Sequence, residues 1–501
     1  MNSVVTTLNQ ALENHATALP EKTFISSRGE DYSYAQVHDL VRRHAGFLLS
    51  HGVGQGDRVC LMLPRTPELI IAFLAATRIG ALPVPVNYLL APDTVFSFIQ
   101  SVNPRVIVSH DKLVSAALAE LPAGAGQPLC IDVAGRINNW LPWRYAVAGQ
   151  MQASHWMPGP EDLAYLNFTT GSSGQPKGAR TTHANIYWNT RAAVDALSLG
   201  QEDVHLCMFA AFAHPHELLA RALLTGASLV LQEELNPRHL LATIRRHGVT
   251  CLMGLAPMYA MMASHSGGEA LPSLRVAESG GMYTRQEINE HFLRAFGRPI
   301  LSVWGSTETT GIALANRTDS YRTDGTMGMP CPHYQARLVN EAGEEIAPGE
   351  IGELCLQGPG MVGGYEGEVL TTDQDGWYLS GDMASRDEEG FYYFAGRKSE
   401  MIKVAGLKVH PTQIELLLLT HPAIAEAAVL GMPDRRKGAV AQAFLVAKPG
   451  QVLDQDDIVR FCKDRVPSYM VPKRLEVRDS LPKIGSGKID KRRLLETADV
   501  A

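Results

Sequence analysis

The sequence predicts a multidomain α/β protein, with a large N-terminal domain of two mostly parallel α/β sheets plus a small β-barrel, followed by a small α+β C-terminal domain. Two observations lead to this prediction. Up to about residue 330, short apolar segments alternate with segments of helical length, which is typical of parallel sheets covered by helices. From about Gln335, short strand-like segments separated by turn residues take over, which is typical of a small barrel.

The first alternating run lies before residue 110. The helix predicted over Tyr34–His51 has apolar residues at helical spacing and ends at Gly52, and the strand-like segment Thr23–Ser27 precedes it. The run continues with the strands Arg58–Leu63, Ala81–Val86 and Arg105–Ser109 and the helices Pro67–Ile79 and Ala91–Val102.

The second alternating run begins with Leu163–Phe168, an apolar segment that predicts a buried strand. A Gly/Ser/Thr loop follows it, and we expect a helix over Thr182–Leu197 after this loop. The other elements of the run are the helices Glu217–Leu224 and Pro237–His247 and the strands Ser228–Leu231 and Thr250–Gly254.

The last part of the chain divides into strands and then an α+β unit. The predicted barrel strands are Ala336–Val339, Gly352–Gln357, Gly376–Ser380 and Phe391–Phe394. The predicted elements of the α+β unit are the helices Pro411–Leu419 and Leu453–Arg465 and the strands Ile424–Met432 and Ala439–Ala447. We place the domain boundary between residues 396 and 397, so that the domains are 1–396 and 397–501.

Composition excludes several classes of function. The 501 residues carry a net charge of −7 with no basic patch, so nucleic acid is not an expected partner. The N-terminus has no signal-peptide pattern, and the apolar stretches are too short for membrane insertion. Seven scattered cysteines without a C-x-x-C pair predict reduced, mostly buried thiols and a cytoplasmic location. The oligomeric state is not indicated.

The segment from Tyr165 to His183 has the composition of an anion-binding loop. Its glycines, hydroxyl side chains and Lys177 can present N–H groups, O–H groups and a positive charge to phosphate oxygens. Because Gly178 follows Lys177, the segment does not match the G-x-x-x-x-G-K-[ST] pattern of P-loop NTPases.

Further motifs follow this loop in a fixed order, namely VWGSTETT at 303–310, GEL at 352–354, YLSGD at 378–382, GRKS at 396–399, IKVAG at 402–406 and GSGKID at 485–490. Together they resemble the acyl-adenylate-forming superfamily of acyl-CoA synthetases, nonribosomal peptide synthetase adenylation domains and luciferase. The resemblance covers nearly the whole chain. It implies an enzyme that uses ATP and Mg²⁺ to convert a small carboxylic acid to an acyl-AMP and then to a thioester.

The resemblance also implies roles for individual residues. Lys488 matches the catalytic lysine, Thr307 an α-phosphate contact, and Glu308 the magnesium ligand, a hard carboxylate for a hard cation. Ser399 matches the hinge about which the small C-terminal domain moves. The nucleotide-binding residues implied are Thr169, Thr170, Gly171, Ser172, Ser173, Lys177, Gly281, Val303, Trp304, Gly305, Asp382 and Arg397. Trp304 replaces the usual tyrosine, and Arg397 is expected to support Asp382, the ribose-binding carboxylate.

The acyl pocket departs from the pattern of amino-acid adenylation domains, because Ala213 replaces the aspartate that holds an α-ammonium group. An ordinary α-amino acid is therefore disfavoured. Glu217 leaves two interpretations, a charge that faces solvent or a neighbouring histidine, or a group that binds an amine or hydroxyl of the substrate. We expect small residues to leave room in a pocket lined by Phe212, Ala213, His214, Glu217, Gly254, Ala277, Ser279, Gly311 and Ile312.

Two acceptors and two other classes of protein remain as alternatives. CoA is the first choice of acceptor, and the alternative is a stand-alone adenylation enzyme that loads an acid, possibly a non-α amino acid, onto a separate phosphopantetheinyl carrier protein. A non-catalytic protein with the same fold is disfavoured because Lys488, Glu308 and Asp382 are all present. Nothing in the sequence indicates luciferase-type oxygen chemistry.

Overall fold

A computed structural model describes residues 5–121, 127–149, 157–170, 176–483 and 489–497 of the chain. The chain divides into two compact units. The first unit contains residues 1–335 and 357–378, and the second contains residues 336–356 and 379–501. Within the described ranges, no helix is long and apolar enough to cross a bilayer. All seven cysteines are buried, as the sequence predicts.

Helices and strands alternate through the first 330 residues, as expected. The helices are α1 (Leu8–Ala18), α2 (Tyr34–Ser50), α3 (Pro67–Arg78), α4 (Pro92–Val102), α5 (Ala116–Ala119), α6 (Trp143–Ala148), α7 (His183–Ala196), α8 (Ala220–Thr225), α9 (Pro237–His247), α10 (Ala256–Ser264) and α11 (Gln286–Phe296). The strands are β1 (Thr23–Ser27), β2 (Glu30–Ser33), β3 (Arg58–Met62), β4 (Leu82–Pro85), β5 (Val106–Ser109), β6 (Leu129–Asp132), β7 (Leu141–Pro142), β8 (Leu163–Thr170), β9 (Pro176–Thr182), β10 (Val204–Cys207), β11 (Ser228–Leu231), β12 (Cys251–Gly254), β13 (Val276–Ser279), β14 (Ile300–Ser306), β15 (Gly311–Ala315) and β16 (Met329–Pro330).

Two of the sheets in the first unit are mostly parallel, which confirms the predicted fold class. One has the strand order β4-β3-β5-β6-β7 and is parallel throughout. The other has the order β16-β15-β14-β13-β12-β10-β11-β1-β2, with antiparallel pairs only at its two ends. Its short strands are buried because helices cover the sheet, and apolar residues of α9, α10 and α11 pack with β10, β12 and β13 in one hydrophobic cluster.

Local sequence explains where several helices begin. Ser33 and Gln36 form a capping box before α2, and Thr182 and Asn185 form one before α7, so that otherwise unpaired backbone N–H groups are satisfied. Proline occupies the first turn of α3, where its missing N–H costs no hydrogen bond.

The loop segment after Phe168 differs from the prediction. The sequence suggests a strand, a loop and then a helix, but β8 is paired antiparallel with β9, and α7 begins only after β9. β8 and β9 therefore form a β-hairpin, and α7 follows β9 rather than the loop. The expectation of a helix over Glu217–Leu224 is also partly wrong, because Pro215–Leu218 forms a 3₁₀ turn and α8 begins at Ala220.

The elements from residue 335 onward are shorter strands and three helices within the described part of the chain. They are β17 (Gln335–Val339), β18 (Ile351–Gln357), β19 (Gly364–Tyr365), β20 (Glu368–Val369), β21 (Tyr378–Arg386), β22 (Tyr392–Arg397), β23 (Ile402–Val404), β24 (Leu407–Val409), α12 (Pro411–Leu419), β25 (Ile424–Asp434), β26 (Gly438–Ala447), α13 (Gln455–Lys463), β27 (Arg474–Val477) and α14 (Lys491–Glu496). Of these, β19 and β20 belong to the first unit, where they extend the β8–β9 hairpin into a sheet of order β20-β19-β9-β8.

The second unit contains two sheets. The region predicted as a small β-barrel is a four-stranded sheet of order β17-β18-β21-β22, and the C-terminal α+β region has the order β24-β23-β26-β25 with β27 beside β26. The ion pairs Lys398–Glu353 and Lys408–Glu341 connect these two regions. The predicted boundary at 396/397 falls inside this unit and remains a prediction.

Candidate active site

The turn that follows β14 fixes the backbone of the motif 303–310. The N–H of Ser306 donates to the Thr309 hydroxyl at 2.8 Å, and the Thr309 N–H donates to the Ser306 hydroxyl at 3.3 Å. Thr310 adopts a φ of +62°, and its hydroxyl donates to the Gly360 carbonyl at 2.7 Å. The predicted residues Thr307 and Glu308 therefore lie in a turn that is pinned at both ends.

Two glycines allow the strands on either side of this turn to approach closely. A Cβ atom on Gly305 would lie 2.2 Å from the carbonyl oxygen of Gly311. Gly311 has a φ of +151°, and a Cβ there would lie 2.5 Å from Asn189 Oδ1 and 2.8 Å from Glu217 Oε1. Neither position accepts a side chain, so the β14–β15 hairpin holds the turn at one place.

Glu308 is half-buried, and its carboxylate is oriented by a distant residue. The Tyr365 hydroxyl donates to Glu308 Oε1, and the Val362 N–H donates to the Glu308 carbonyl at 2.9 Å. No described residue hydrogen-bonds the second carboxylate oxygen. Among the described residues there is also no cluster of three metal-ligating side chains. This donor set fits Mg²⁺, which commonly binds one or two carboxylates and takes its remaining ligands from phosphates and water.

The predicted residues 212–214 lie beside the end of β8. The Asn167 side-chain amide donates to the Ala213 carbonyl at 3.1 Å, and the Phe212 ring meets the Tyr88 ring edge-on. Burial lowers the pKa of His214 to about 4, while the Glu308 carboxylate acts in the opposite direction. His214 is therefore neutral at physiological pH.

Glu217 is buried, with only 8 % of its surface exposed, so the expectation that it faces solvent is wrong. It lies near Arg221 and Glu278, which form a buried ion pair with an Arg221 Nη2–Glu278 Oε1 distance of 3.1 Å. Burial raises the pKa of Glu217 to about 7, although the Arg221 charge lowers it. No described residue hydrogen-bonds its carboxylate. Neither neighbouring histidine is its partner, since His216 contacts the Tyr165 hydroxyl at 2.8 Å and His214 contacts the Asn167 side-chain amide at 3.4 Å.

The small residues predicted to leave room in the pocket are closely packed. A Cβ on Gly254 would lie 2.4 Å from the Met208 methyl carbon, and the space beside Gly311 is filled by Asn189 and Glu217. Ala277 is fully buried in the hydrophobic cluster under α10 and α11. The expectation of free space at these three positions is wrong, because a small residue also occurs where a neighbouring side chain packs tightly.

The remaining pocket and nucleotide-binding predictions fall at strand ends. Ser279 is buried and accepts a hydrogen bond from the Thr284 hydroxyl at 2.9 Å, and Gly281 follows it. The Ile312 carbonyl accepts from the Asn189 amide at 2.9 Å. Val303 is buried, and Trp304 is paired with Leu314 across the β14–β15 hairpin. Their contacts with substrate stay predictions.

The phosphate-binding prediction falls on the β8–β9 hairpin. Thr169 lies opposite Lys177, and Thr170 lies opposite Pro176. The Lys177 ammonium forms an ion pair with the exposed Glu368 on β20. Gly171, Ser172 and Ser173 lie outside the described residues.

The second unit contains the predicted ribose-binding pair. Asp382 on β21 and Arg397 on β22 are register partners, and Arg397 Nε lies 2.6 Å from Asp382 Oδ1. Asp382 is 2 % exposed, whereas Arg397 is exposed. The structure therefore brings these two side chains together as predicted, and their role toward a ribose stays a prediction.

The predicted hinge residue follows this pair directly. Ser399 is exposed in the 3₁₀ turn Lys398–Glu400. Beside it, the Lys398 ammonium lies 2.5 Å from the buried carboxylate of Glu353. The predicted catalytic residue Lys488 lies outside the described residues, and α14 begins three positions after it.

Sequence reasoning missed Tyr365, Arg221 and Glu278. Glu278 gave a usable signal, because it is a charged residue inside the buried strand β13. Arg221 lies four residues after Glu217, a spacing that would place the two on one face of a continuous helix. Tyr365 gave no signal, since it lies 57 residues from Glu308 and in no motif with it.

Two family models match successive parts of the chain. The family described as AMP-binding enzyme matches residues 12–366, and the AMP-binding enzyme C-terminal domain matches residues 413–488. A long-chain-fatty-acid–CoA ligase of Bacillus subtilis (strain 168) is 28% identical, with 98% of this chain and 94% of the relative covered. A feruloyl-CoA synthase of an Amycolatopsis species is 30% identical, with 94% of each chain covered.

Two solved structures are also similar to this chain over nearly their whole length. The anthranilate CoA ligase AuaEII in complex with anthranoyl-AMP superposes with a TM-score of 0.87 at 26% identity, covering 99% of this chain and 98% of that one. ATP-bound MatB from Rhodopseudomonas palustris also superposes with a TM-score of 0.87, at 25% identity, covering 98% and 99%.

Proposed function

The chain belongs to the AMP-binding enzyme family of the acyl-adenylate-forming superfamily, and we propose that it activates a small carboxylic acid at the turn after β14. It is an ATP-dependent, AMP-forming acid–thiol ligase. The observation that supports this placement most directly is Glu308, whose carboxylate is oriented by Tyr365 in a turn fixed by Thr309 and Thr310.

The reaction has two steps. An oxygen of the acid's carboxylate attacks the α-phosphorus of ATP, the bond from this phosphorus to the bridging oxygen breaks, and pyrophosphate leaves. The thiol of CoA, having lost its proton, then attacks the carbonyl carbon of the acyl-AMP, and the bond to the AMP oxygen breaks. Both steps gather negative charge, so fixed donors and cations around the phosphates lower the barrier.

We assign the charge-handling roles as the resemblance implies. Glu308 would hold Mg²⁺, which neutralises phosphate charge when it is bound. Thr307 would contact the α-phosphate. Residues 169–173 and Lys177 would bind the outgoing pyrophosphate, and Lys488 would bind the carboxylate and phosphate oxygens. Trp304, with Gly281, Val303 and Gly305, would border the adenine.

In the second unit we assign Asp382, oriented by Arg397, to the ribose hydroxyls and Ser399 to the hinge. The mutual position of Asp382 and Arg397 supports this assignment. The boundary at 396/397 would then separate a moving C-terminal part from the rest of the chain.

CoA is the acceptor that we propose, because the relatives described above are named as CoA ligases or synthases. These relatives are named for long-chain fatty, feruloyl and anthranilate substrates, which differ too widely to identify the acid. A separate carrier protein is the second candidate acceptor. The cysteine pattern supports a cytoplasmic location.

The test is pyrophosphate exchange over a panel of aryl, aliphatic and amino acids, followed by addition of CoA or carrier proteins. We expect at least one acid to support exchange and CoA to be acylated. Glu308→Gln should lose exchange by about two orders of magnitude or more, whereas Glu290→Gln, on the exposed face of α11, should not. Exchange with no acid, or an unaffected Glu308→Gln variant, would refute the proposal.

A further inference from the structure

Three charged side chains lie together in the buried interior of the first unit. Arg221 and Glu278 are 4 % and 0 % exposed, and both guanidinium nitrogens Nη1 and Nη2 of Arg221 donate to the Glu278 carboxylate. Although burial disfavours its charge, the Glu278 carboxylate raises the pKa of Arg221 above its usual value. This bidentate pair is electrically neutral, and Nη1 and Nη2 of Arg221 each donate to one Glu278 oxygen.

Glu217 is therefore the carboxyl group of the cluster that this pair leaves over. The residue is 8 % exposed, and no described residue donates a hydrogen bond to its carboxylate. A buried polar group without a partner costs about 1–3 kcal/mol, and more when it is charged. A partner that the protein does not itself provide, such as water, an ion or a substrate, satisfies a group of this kind.

The position of Glu217 connects it to the site of acyl activation. Its Oε1 atom lies against Gly311, and Gly311 is the register partner of Ser306 on β14. Ser306 is two residues before Glu308. A substrate whose carboxylate lies near Glu308 would therefore pass the Ser306–Gly311 pair where its acyl part extends toward Glu217.

Given the proposed function on which this inference rests, we propose that the activated acid bears an amino or hydroxyl group that donates a hydrogen bond to Glu217. The donor belongs to the acyl part of the acid, remote from the reacting carboxylate. Glu217 is then a specificity-determining residue, and the substrate class is an amino- or hydroxy-substituted aryl or alkyl acid.

The same cluster disfavours two other classes of acid. A dicarboxylic acid would place a further negative charge beside Glu217, and the only cation that the described residues place in this cluster, Arg221, is already neutralised by Glu278. An unsubstituted alkyl or aryl group would cover the Glu217 carboxylate without offering it a hydrogen-bond donor, which is costly.

The test compares acids that differ only in the donor. Each amino- and hydroxybenzoate is paired with the methylbenzoate of the same substitution, and each aminoalkanoate with the alkanoate of equal length. We expect the best donor-bearing acid to exceed its methyl isostere in kcat/KM for pyrophosphate exchange by about tenfold or more, as a hydrogen bond to a charged group implies. Dicarboxylates should be poor substrates.

Variants at position 217 test whether the Glu217 side chain causes the preference for donor-bearing acids. Glu217→Leu should remove or reverse the preference, and Glu217→Gln should retain hydroxy acids better than amino acids, because an amide accepts a hydrogen bond but lacks the charge. Asp203→Asn is the matched control. Asp203 is also a buried carboxylate paired with an arginine, Arg275, but it lies at the opposite end of β10, so the preference should be unchanged.

Different outcomes would refute this inference and the proposed ligase function. Exchange supported best by a methyl isostere or a dicarboxylate, or an equal preference in the wild type and Glu217→Leu, would overturn the inference alone. Exchange with no acid at all would refute the proposed function. If a variant fails to fold, the wild-type panel still decides, because the preference for the donor is measured without any substitution.

Discussion

Removal of Arg221 should destabilise the first unit far more than removal of its partner Glu278. Arg221→Met leaves Glu217 and Glu278 as two buried carboxylates without a counter-charge. Breaking a buried ion pair in this way typically costs about 3–5 kcal/mol of unfolding free energy. Glu278→Gln is different, because Arg221 then keeps Glu217, four residues earlier, as its counter-charge. We expect that substitution to cost about half as much or less.

The chain offers a convenient probe for this measurement. All six tryptophans lie in residues that belong to the first unit, so their fluorescence reports on its unfolding. In urea, the midpoint for Arg221→Met should fall by on the order of 1 M, and the midpoint for Glu278→Gln by clearly less. Equal shifts, or a larger one for Glu278→Gln, would show that Glu217 does not neutralise Arg221, and the reasoning about this cluster would be wrong.

Two further predictions concern catalysis. Tyr365→Phe removes the hydroxyl that orients Glu308, so about 10–100-fold more Mg²⁺ should be needed for half-maximal pyrophosphate exchange. Tyr321→Phe, at an exposed position, is the control. An unchanged Mg²⁺ titration for Tyr365→Phe would contradict this role. Ser399→Pro should stiffen the hinge, sparing pyrophosphate exchange while blocking thioester formation; comparable loss of both half-reactions would count against a hinge at this position.

Several strands of the two mostly parallel sheets could be predicted from the sequence because each of them has a recognisable local composition. Strands such as β5, with the sequence Val-Ile-Val-Ser, are buried on both faces and contain β-branched residues between turn signals. The strand β9 carries no such signal. Its sequence, Pro-Lys-Gly-Ala-Arg-Thr-Thr, is polar, and it is a strand because β8 pairs with it. Pairing between segments is a tertiary effect that local pattern does not report.

In the candidate site, too, local structure could be predicted from the sequence and contacts between distant segments could not. The turn Ser306–Thr310 is a local structure, held by hydrogen bonds between residues three apart, and its motif could be recognised in the sequence. The Glu308–Tyr365 contact joins residues from distant segments, so single-sequence reasoning could not find it. Predicting free space from small residues also failed, since whether Gly254 borders a void or a side chain depends on Met208, from another strand end.

The charge cluster suggests how a site of this kind could change its acid without losing its fold. Arg221 and Glu278 neutralise each other, so the interior remains balanced when Glu217 is replaced by an uncharged residue. Glu217→Leu should therefore be tolerated, and it also removes an unpaired buried group. Replacement of Arg221 would instead leave two carboxylates to be compensated. Position 217 is thus the member of the cluster at which specificity can vary most independently of stability, while the turn that holds Glu308 stays unchanged.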